Sequence, residues 1–451
     1  MDRPSRLAVW DRRRAGVLLP LSALTSPLGR GGRAVIDWLA AARFTLWQVL
    51  PLGPPGADGS PYWVSSDEAG NPAFVDAAEA PPATGARYER FLEDSAPWLE
   101  EFALFSALTR AQHGAPFWRW PQPLRERAPE ALAAARRDLA DALERVRQEQ
   151  YAFSVQWQAL RAYAHERGVR LCGDLPFYVA PSAVATWSQR GLFQLAADGS
   201  PAAVGGVPPD YFSSLGQMWG NPLYDWQALA RTDYRFWVQR VGAQLERLDL
   251  LRLDHFRALA AHWAIPAAAK DARSGSWQPT PGAALLETLG RAFPDLPLIA
   301  EDLGVITAEV EQLLVRFRLP GMRVLQFAFD GGDNPHLPHR HVRDCVVYTG
   351  THDNDTTRGW YDALEPAVAQ RADLYLGVPA DAQPGALIRA ALASVAQLAV
   401  IPAQDLLGLP SSARLNTPGT VSGNWTWQLP PHALTPSLAA HFARLNDIYG
   451  R

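Results

Sequence analysis

The feature that most constrains the fold of this chain is a series of about eight short apolar runs spread along its length. Valine, leucine, isoleucine and aromatic residues dominate these runs, and helical patterns separate several of them. Strands of a parallel sheet are buried on both faces, so they read as continuous rather than alternating apolar runs. The pattern predicts an α/β fold, a (β/α)₈ TIM barrel, with strands in residues 16–21, 44–52, 169–178, 248–256, 297–304, 322–329, 345–353 and 398–406.

Two stretches between the runs are much longer than an ordinary barrel connection. Residues 53–168 and 179–247 are therefore expected to form large insertions on the C-terminal face of one barrel that spans residues 1–451. The first contains a charged amphipathic helical pattern around residues 132–146, for which a structural role is expected. The second contains a loop over residues 205–212 that is rich in glycine, proline and aromatic residues, which predicts a lid.

The composition is that of a globular protein with no nucleic-acid or membrane partner. Hydrophobic residues make up 48% of the chain and charged residues 20%, which provides material for a large core and argues against disorder. The formal net charge of -4 argues against the basic surface that binds nucleic acid or anionic lipid. No apolar run approaches the ~18 residues that a membrane-spanning helix needs.

The cysteines and the N-terminal segment bear on the compartment. Cys172 and Cys345 each lie inside a predicted strand, so a disulfide framework is not expected and a reducing, cytoplasmic location is. Several arginines precede the run 16–21, much as in a secretory signal peptide. Acidic residues before that run and Pro20 within it favour a first barrel strand instead.

Acidic residues concentrate where the predicted strands end. They are Asp174, Asp254, Glu301, Asp302, Asp353 and Asp405. Any one of them could simply cap the following helix or turn. Because the carboxyl ends of barrel strands converge on one face, several such residues on different strands indicate a shared pocket.

Paired carboxylates without a metal-binding motif favour glycosyl chemistry, in which one carboxylate attacks the anomeric carbon and another protonates the leaving oxygen. Arg252 lies two residues before Asp254 and so on the same strand face, where it is expected to stabilise the ionised form of Asp254. The general acid must be protonated near neutral pH, which requires a less polar or more negatively charged setting. Glu301 suits that role because of its longer reach.

Several segments closely resemble those of one known family. Residues 252–257, 300–304 and 348–357 resemble the catalytic segments of the amylomaltase-type 4-α-glucanotransferases of glycoside hydrolase family 77. Matches outside these segments lie in residues 60–62, 69–72, 208–211, 216–222 and 416–425. Together the matches span nearly the whole chain in order.

The resemblance implies transfer of α-1,4-glucan segments from a donor maltooligosaccharide to an acceptor sugar, with no cofactor and no metal. It makes Asp254 the nucleophile, Glu301 the general acid/base, and Asp353 the carboxylate that binds sugar hydroxyls and stabilises the transition state. Arg252 and His352 would hold the same sugar. The substrate-binding residues carried over in full are Tyr62, Ser60, Gln217, Trp219, Arg252, His255 and His352.

A nucleophilic Asp254 further implies two displacements at the anomeric carbon and retention of the α configuration. The carboxyl groups of Asp254 and Glu301 are then expected roughly 5 to 5.5 Å apart. Transfer also requires exclusion of water, for which the lid is a candidate, with Tyr211, Phe212 and Trp219 as acceptor-stacking residues.

The chain also departs from the family pattern. Residues 181–185 replace an acidic, serine-containing stretch, Trp63 stands where a glutamine is expected, and the loop over residues 22–33 is short. These departures bear on the acceptor and on the preferred glucan length, which the sequence leaves open together with protein partners and oligomeric state. They do not affect the proposed carboxylates.

Three other functions compete with this interpretation. A metal-dependent barrel hydrolase could use His255 and His352, but the only His-x-His pattern, His339 with His341, follows the sixth run in a polar loop. A silent glucan-binding protein would be expected to lack part of the acid trio, which is complete here. An α-glucan hydrolase shares the first chemical step and stays open, and the products formed from maltotriose would distinguish it.

Overall fold

The protein is represented by a computed structural model that describes residues 10–56, 58–209, 213–379, 382–420 and 422–451. Tyr211 and Phe212, predicted to contact the acceptor, lie outside the described residues. The strands are β1 (Arg14–Leu18), β2 (Leu46–Gln48), β3 (Arg170–Leu175), β4 (Ala203–Val207), β5 (Gln217–Pro222), β6 (Leu250–Leu253), β7 (Ala261–Pro266), β8 (Ser276–Pro279), β9 (Leu298–Ala300), β10 (Gly321–Val324), β11 (Cys345–Tyr348) and β12 (Leu398–Pro402). The α-helices are α1 (Arg30–Ala41), α2 (Ala86–Ala111), α3 (Gln122–Arg125), α4 (Pro129–Asp138), α5 (Ala140–Glu166), α6 (Val184–Ser188), α7 (Trp226–Arg231), α8 (Arg235–Leu245), α9 (Gly282–Ala292), α10 (Ala308–Phe317), α11 (Thr357–Asp362), α12 (Pro366–Leu376), α13 (Gly385–Ala393), α14 (Ala403–Leu406) and α15 (Pro436–Ile448).

In the described part of the chain, eight parallel strands form one sheet in the order β10-β11-β12-β1-β2-β3-β6-β9. The N–H of Ala300 at the end of β9 donates to the carbonyl of Pro320 just before β10 at 2.9 Å, which brings the two ends of the sheet together. Each of the eight predicted apolar runs overlaps one of these strands; β1 begins at Arg14, two residues before its run, and β10 begins at Gly321, one residue before its run. The predicted (β/α)₈ barrel is therefore confirmed, and the run at residues 16–21 contributes its first strand.

The inward-facing side chains of the barrel stack in layers that end in polar groups. Cys172, Leu250 and Ile299 are fully buried in the apolar cluster inside the barrel. Side chains alternate between the two faces of a strand, so the residue two positions later points the same way. Those residues are Asp174, Arg252 and Glu301. Strand alternation thus places two carboxyl groups and one guanidinium group side by side at the carboxyl ends of β3, β6 and β9.

The chain between β2 and β3 contains α2 and α5, which pack against each other. They enclose an apolar cluster of their own, built around Phe105, Trp120 and Trp187. The amphipathic pattern predicted around residues 132–146 belongs to two helices, α4 and α5, with Leu139 between them. The far end of α5 packs on the barrel through Trp157 and so joins the cluster to the barrel.

A second, antiparallel sheet has the strand order β5-β4-β7-β8; β4 includes the first residues of the loop predicted as a lid, and residues 210–212 of that loop lie outside the described residues. The sequence predicted none of these four strands: the segments of β4 and β5 were interpreted as a loop, and β7 and β8, which follow the barrel strand β6, were not predicted at all. Their residues are few, and the indole of Trp263 and the imidazole of His262 interrupt any simple apolar alternation. On β4, a Cβ at Gly205 would lie 2.6 Å from the Tyr178 ring, so glycine lets this sheet approach the barrel closely.

Both cysteines are buried and have free thiols. Within the described ranges, none of the helices is both long and apolar enough to cross a bilayer.

Candidate active site

A buried guanidinium joins two carboxylates at the top of the barrel. Nη1 of Arg252 donates to both carboxylate oxygens of Asp174 at 2.8 Å, and Nη2 lies 2.9 Å from Oδ1 of Asp254. The side chains of Asp174 and Arg252 are 0% and 4% exposed, whereas that of Asp254 is 29% exposed. Buried charges persist when they are paired in this way. Arg252 is therefore fixed by the buried Asp174 and in turn holds Asp254, whose carboxylate stays partly exposed.

The Arg252 guanidinium is held firmly in its charged form. Burial alone would lower the pKa of Arg252, but the Asp174 and Asp254 carboxylates raise it well above its usual value. Asp174 is also tied to the loop above it, because the Tyr62 hydroxyl donates to its Oδ2 at 2.7 Å.

Glu301 lies directly beside the backbone that follows Asp254. Its Oε2 accepts from the N–H of His255 at 2.8 Å and its Oε1 from the N–H of Leu303 at 2.9 Å. His255 adopts a left-handed conformation, with φ of 49°, which turns the chain immediately after Asp254 toward Glu301. The structure thus fixes Glu301 beside the residue that directly follows Asp254.

The environment of Glu301 favours its protonated form. Burial raises the pKa of Glu301 to about 8, and the nearby charge of Asp254 adds to the effect, against the opposing influence of Arg252. A carboxyl group with this pKa carries its proton at neutral pH. One carboxylate paired with arginine and one protonated carboxyl group therefore lie side by side.

Asp353 is placed from the opposite side of the site. Nδ2 of Asn416 donates to its Oδ1 at 2.6 Å, and Nε2 of His352 lies 3.4 Å from its Oδ2. Arg414 donates to the backbone carbonyl of Asp353 at 2.6 Å. The Asp353 side chain is 45% exposed, so it keeps an open face.

Asp353 and His352 shift each other's protonation. Burial alone would raise the pKa of Asp353, but the His352 imidazole and the Asn416 amide lower it below its usual value. Burial alone would lower the pKa of His352, but the Asp353 carboxylate raises it. Asp353 is therefore an ionised carboxylate that favours protonation of the adjacent His352.

Aromatic side chains line this end of the site. The Tyr62 ring stacks on His352 with centroids 5.1 Å apart and planes at 21°. Trp425 packs near both, at 5.9 Å from Tyr62 and 6.0 Å from His352. Oγ of Ser60 accepts from the N–H of Tyr62 at 3.3 Å, so in this structure Ser60 supports the turn that carries Tyr62.

The second sheet presents Trp219 to the other end of the site. Its ring meets His255 edge-on, with centroids 4.8 Å apart and an interplanar angle of 88°. The indole N–H of Trp219 donates to Oε1 of Gln217 at 3.0 Å. Burial lowers the pKa of His255 to about 4, so its imidazole is neutral in this environment. Trp219 and Gln217 thus lie on the Glu301 side of the site, beside the residue whose N–H donates to Glu301.

Two strand-end acids have structural partners instead. Asp405 is buried and accepts from the hydroxyl of Thr349 and from both the N–H and the hydroxyl of Thr357. Asp302 accepts from the N–H of Met322 and lies 3.3 Å from Arg323. Both carboxylates join neighbouring parts of the barrel.

Sequence reasoning missed three residues of this site. Asn416, Arg414 and Trp425 lie in or just before the segment 416–425, which resembled the family but suggested no individual role. Only the fold brings this segment, which follows β12, against Asp353.

A metal centre finds no support in the described part of the chain, where no group of three or more His, Cys, Asp and Glu side chains could hold a metal ion. Nδ1 of His339 is 2.9 Å from the Tyr375 hydroxyl, and Nδ1 of His341 is 2.7 Å from the Ser394 hydroxyl. The His-x-His pattern is therefore used in side-chain hydrogen bonds.

Comparison with known proteins gives one consistent result. The family model of glycoside hydrolase family 77, described as 4-alpha-glucanotransferase, matches residues 19–85 and 77–435. The chain is 42% identical to the 4-alpha-glucanotransferase of Thermus thermophilus, over 95% of this chain and 97% of that protein. It is 39% identical to the 4-alpha-glucanotransferase of Synechocystis, over 98% of each.

The fold is also similar to that of a solved amylomaltase. The amylomaltase from Streptococcus agalactiae, solved in complex with acarbose, superposes with a TM-score of 0.93 and 31% identity, over 98% of this chain and 100% of that one. With a barrel of this topology, the matched segments in order and relatives of this identity over the full length, the chain belongs to the 4-alpha-glucanotransferases of glycoside hydrolase family 77.

Proposed function

We propose that this chain moves α-1,4-glucan segments from a donor maltooligosaccharide to an acceptor sugar by a double displacement on Asp254. The observation that carries the proposal is the pairing of Asp254, held by Arg252, with a Glu301 whose pKa is raised to about 8. Retaining glycosyl transfer needs these two protonation states in neighbouring carboxyl groups.

In the first displacement, a carboxylate oxygen of Asp254 bonds to the anomeric carbon while the bond from that carbon to the leaving oxygen breaks. Glu301 gives its proton to the leaving oxygen, which departs as the free 4-hydroxyl of the released sugar. In the second displacement, Glu301 takes the proton of an acceptor 4-hydroxyl, whose oxygen replaces Asp254 at the anomeric carbon. Glu301 ends protonated and Asp254 ionised, so the cycle is closed.

The remaining residues fit supporting roles around this reaction. Asp353, ionised and 45% exposed, is suited to accept hydrogen bonds from sugar hydroxyls as positive charge develops on the ring. The Tyr62 ring offers an apolar face to the same sugar. Arg252, already bonded to both Asp174 and Asp254, fixes the orientation of the nucleophile.

The test of the reaction is the product pattern from maltotriose. We expect glucose and a ladder of longer α-1,4-oligomers, with little gain in reducing ends, measured by chromatography together with a reducing-end assay. Proton NMR of early products should show the α configuration. A β-configured product would refute the double displacement, whereas hydrolysis exceeding redistribution would assign the chain to the α-glucan hydrolases.

Trp219 provides a second test, because we propose that it shields the intermediate from water. Trp219→Ala should raise the ratio of hydrolysis to transfer several-fold, measured as reducing ends gained per oligomer formed. Met218→Ala, one residue earlier on the same strand, is the matched control and should keep the wild-type ratio, because alternation points this exposed side chain to the other face of the sheet. An unchanged ratio in Trp219→Ala would remove Trp219 from this role.

A further inference from the structure

Trp63, a departure from the family pattern, lies between the two halves of the site. It directly follows Tyr62, whose ring stacks on His352. The N–H of Trp63 donates to the carbonyl of Ser60 at 3.2 Å, and its own carbonyl accepts from the N–H of Gly56 at 2.8 Å. The backbone of Trp63 is therefore fixed by the turn that positions Tyr62.

The indole of Trp63 reaches across to β5 of the second sheet. A Cβ built on Gly220 would lie 3.5 Å from both Cη2 and Cζ2 of Trp63. Gly220 has a φ of +81°, a conformation that side chains with a Cβ rarely adopt. The edge of the indole thus rests against a bare piece of β5 backbone.

A bulge in β5 explains why Gly220 faces Trp63. Strand β4 pairs Val204 with Pro222 and Gly206 with Met218, so the three residues 219–221 oppose Gly205 alone. Bulges next to active sites redirect side chains. Here the bulge turns Trp219 toward His255 and lets the side-chain amide of Asn221 donate to the carbonyl of Val179 at 2.8 Å. Gly220 lies between these two residues and faces the Trp63 indole.

Trp63 also keeps a polar group available. It is half-buried, and within the described residues its indole N–H has no hydrogen-bond partner and is not fully buried. An indole combines an apolar face with one hydrogen-bond donor, which matches the apolar face and the hydroxyls of a pyranose ring. The glutamine that the family pattern predicts at this position would offer an amide but no such face.

We propose that Trp63 binds the acceptor sugar, packing its indole face on a pyranose ring and donating its N–H to a hydroxyl of that sugar. The acceptor side follows from its contact with Gly220, the neighbour of Trp219, which lies on the Glu301 side where the leaving group departs and the acceptor enters. The inference rests on the proposed glucan transfer and adds to it a residue that sets acceptor affinity.

The test separates acceptor binding from donor chemistry. Transfer from α-maltosyl fluoride, whose leaving group carries no sugar, is measured against increasing maltose. Trp63→Ala should raise the KM for maltose by about tenfold and leave kcat within about twofold, since a lost stacking platform weakens binding without touching the reacting atoms. Trp63→Phe, which keeps a ring face but loses the donor, should give a smaller rise of about threefold. The rate of fluoride release without acceptor should be unchanged.

The control variant removes a tryptophan that lies outside the proposed acceptor site. Trp98→Ala removes a half-buried indole from α2 in the helical cluster outside the barrel, and should leave the KM for maltose unchanged. An unchanged KM for maltose in Trp63→Ala overturns the proposal. A tenfold loss in the rate of acceptor-free fluoride release also overturns it, because Trp63 would then act by positioning Tyr62. If Trp63→Ala does not fold, Trp63→Gln and Trp63→Phe give the same comparison. Wild-type protein that forms no transfer products would instead refute the proposed function itself.

Discussion

Replacing Asp254 by asparagine is expected to reduce glucan transfer by roughly four orders of magnitude while the protein folds normally. An amide has nearly the shape of a carboxylate but is a poor nucleophile, so the covalent intermediate is not formed. The fold should tolerate the change because Arg252 keeps both of its 2.8 Å bonds to Asp174 and is not left as an unpaired buried charge.

The measurement is kcat/KM for maltotriose, with thermal unfolding measured alongside. Asp362→Asn, the same chemical change at an exposed acid on α11, is the matched control and should stay close to wild type. Mass spectrometry of the wild-type protein quenched during turnover of a fluoride donor should place the sugar on the peptide that contains Asp254. Near wild-type turnover in Asp254→Asn, or a sugar on another peptide, would remove Asp254 from the role.

The parts of this site that the sequence could predict are those set by strand periodicity. Arg252 lies on β6 and Asp254 directly follows that strand, so alternation places them on one face, beside Asp174 and Glu301 at the ends of the neighbouring strands. The eight apolar runs, each buried on both sides, identify those strands. Local pattern and fold agree here, so the barrel and its ring of polar side chains follow from the residues themselves.

The parts that could not be predicted depend on contacts between distant segments. Asn416 and Trp425 follow the last barrel strand, and nothing in their own sequence places them beside Asp353. Asp302 and Asp405 follow barrel strands as Asp254 does, Asp405 within the short helix α14, yet they pair with hydroxyl, backbone and arginine groups of nearby segments. A strand-end acid becomes catalytic or structural according to its neighbours, which only the fold supplies.

The chemical role of Glu301 also rests on an environment that its sequence does not show. Its carboxyl group is buried beside Asp254 and Arg252, and the pKa is raised to about 8. An acid must be protonated to act, so kcat/KM for glucans should fall as the pH rises through about 8. An amide does not titrate, and Glu301→Gln should therefore lose this alkaline limb along with most of its activity.

Glu301→Gln is expected to slow transfer from maltotriose on the order of 10³-fold, because the leaving sugar must depart without a proton. With α-maltosyl fluoride, which needs little protonation to leave, the first displacement should survive and the glycosyl-enzyme should accumulate, since no base activates the acceptor. Azide, which needs no base, should then restore turnover and give an α-glycosyl azide, because its attack inverts the β-linked intermediate a second time. Glu311→Gln, at an exposed acid on α10, is the control and should behave as wild type. Equal losses on both donors would show that Glu301 does more than transfer a proton, and a β-glycosyl azide would show that no intermediate on Asp254 had formed.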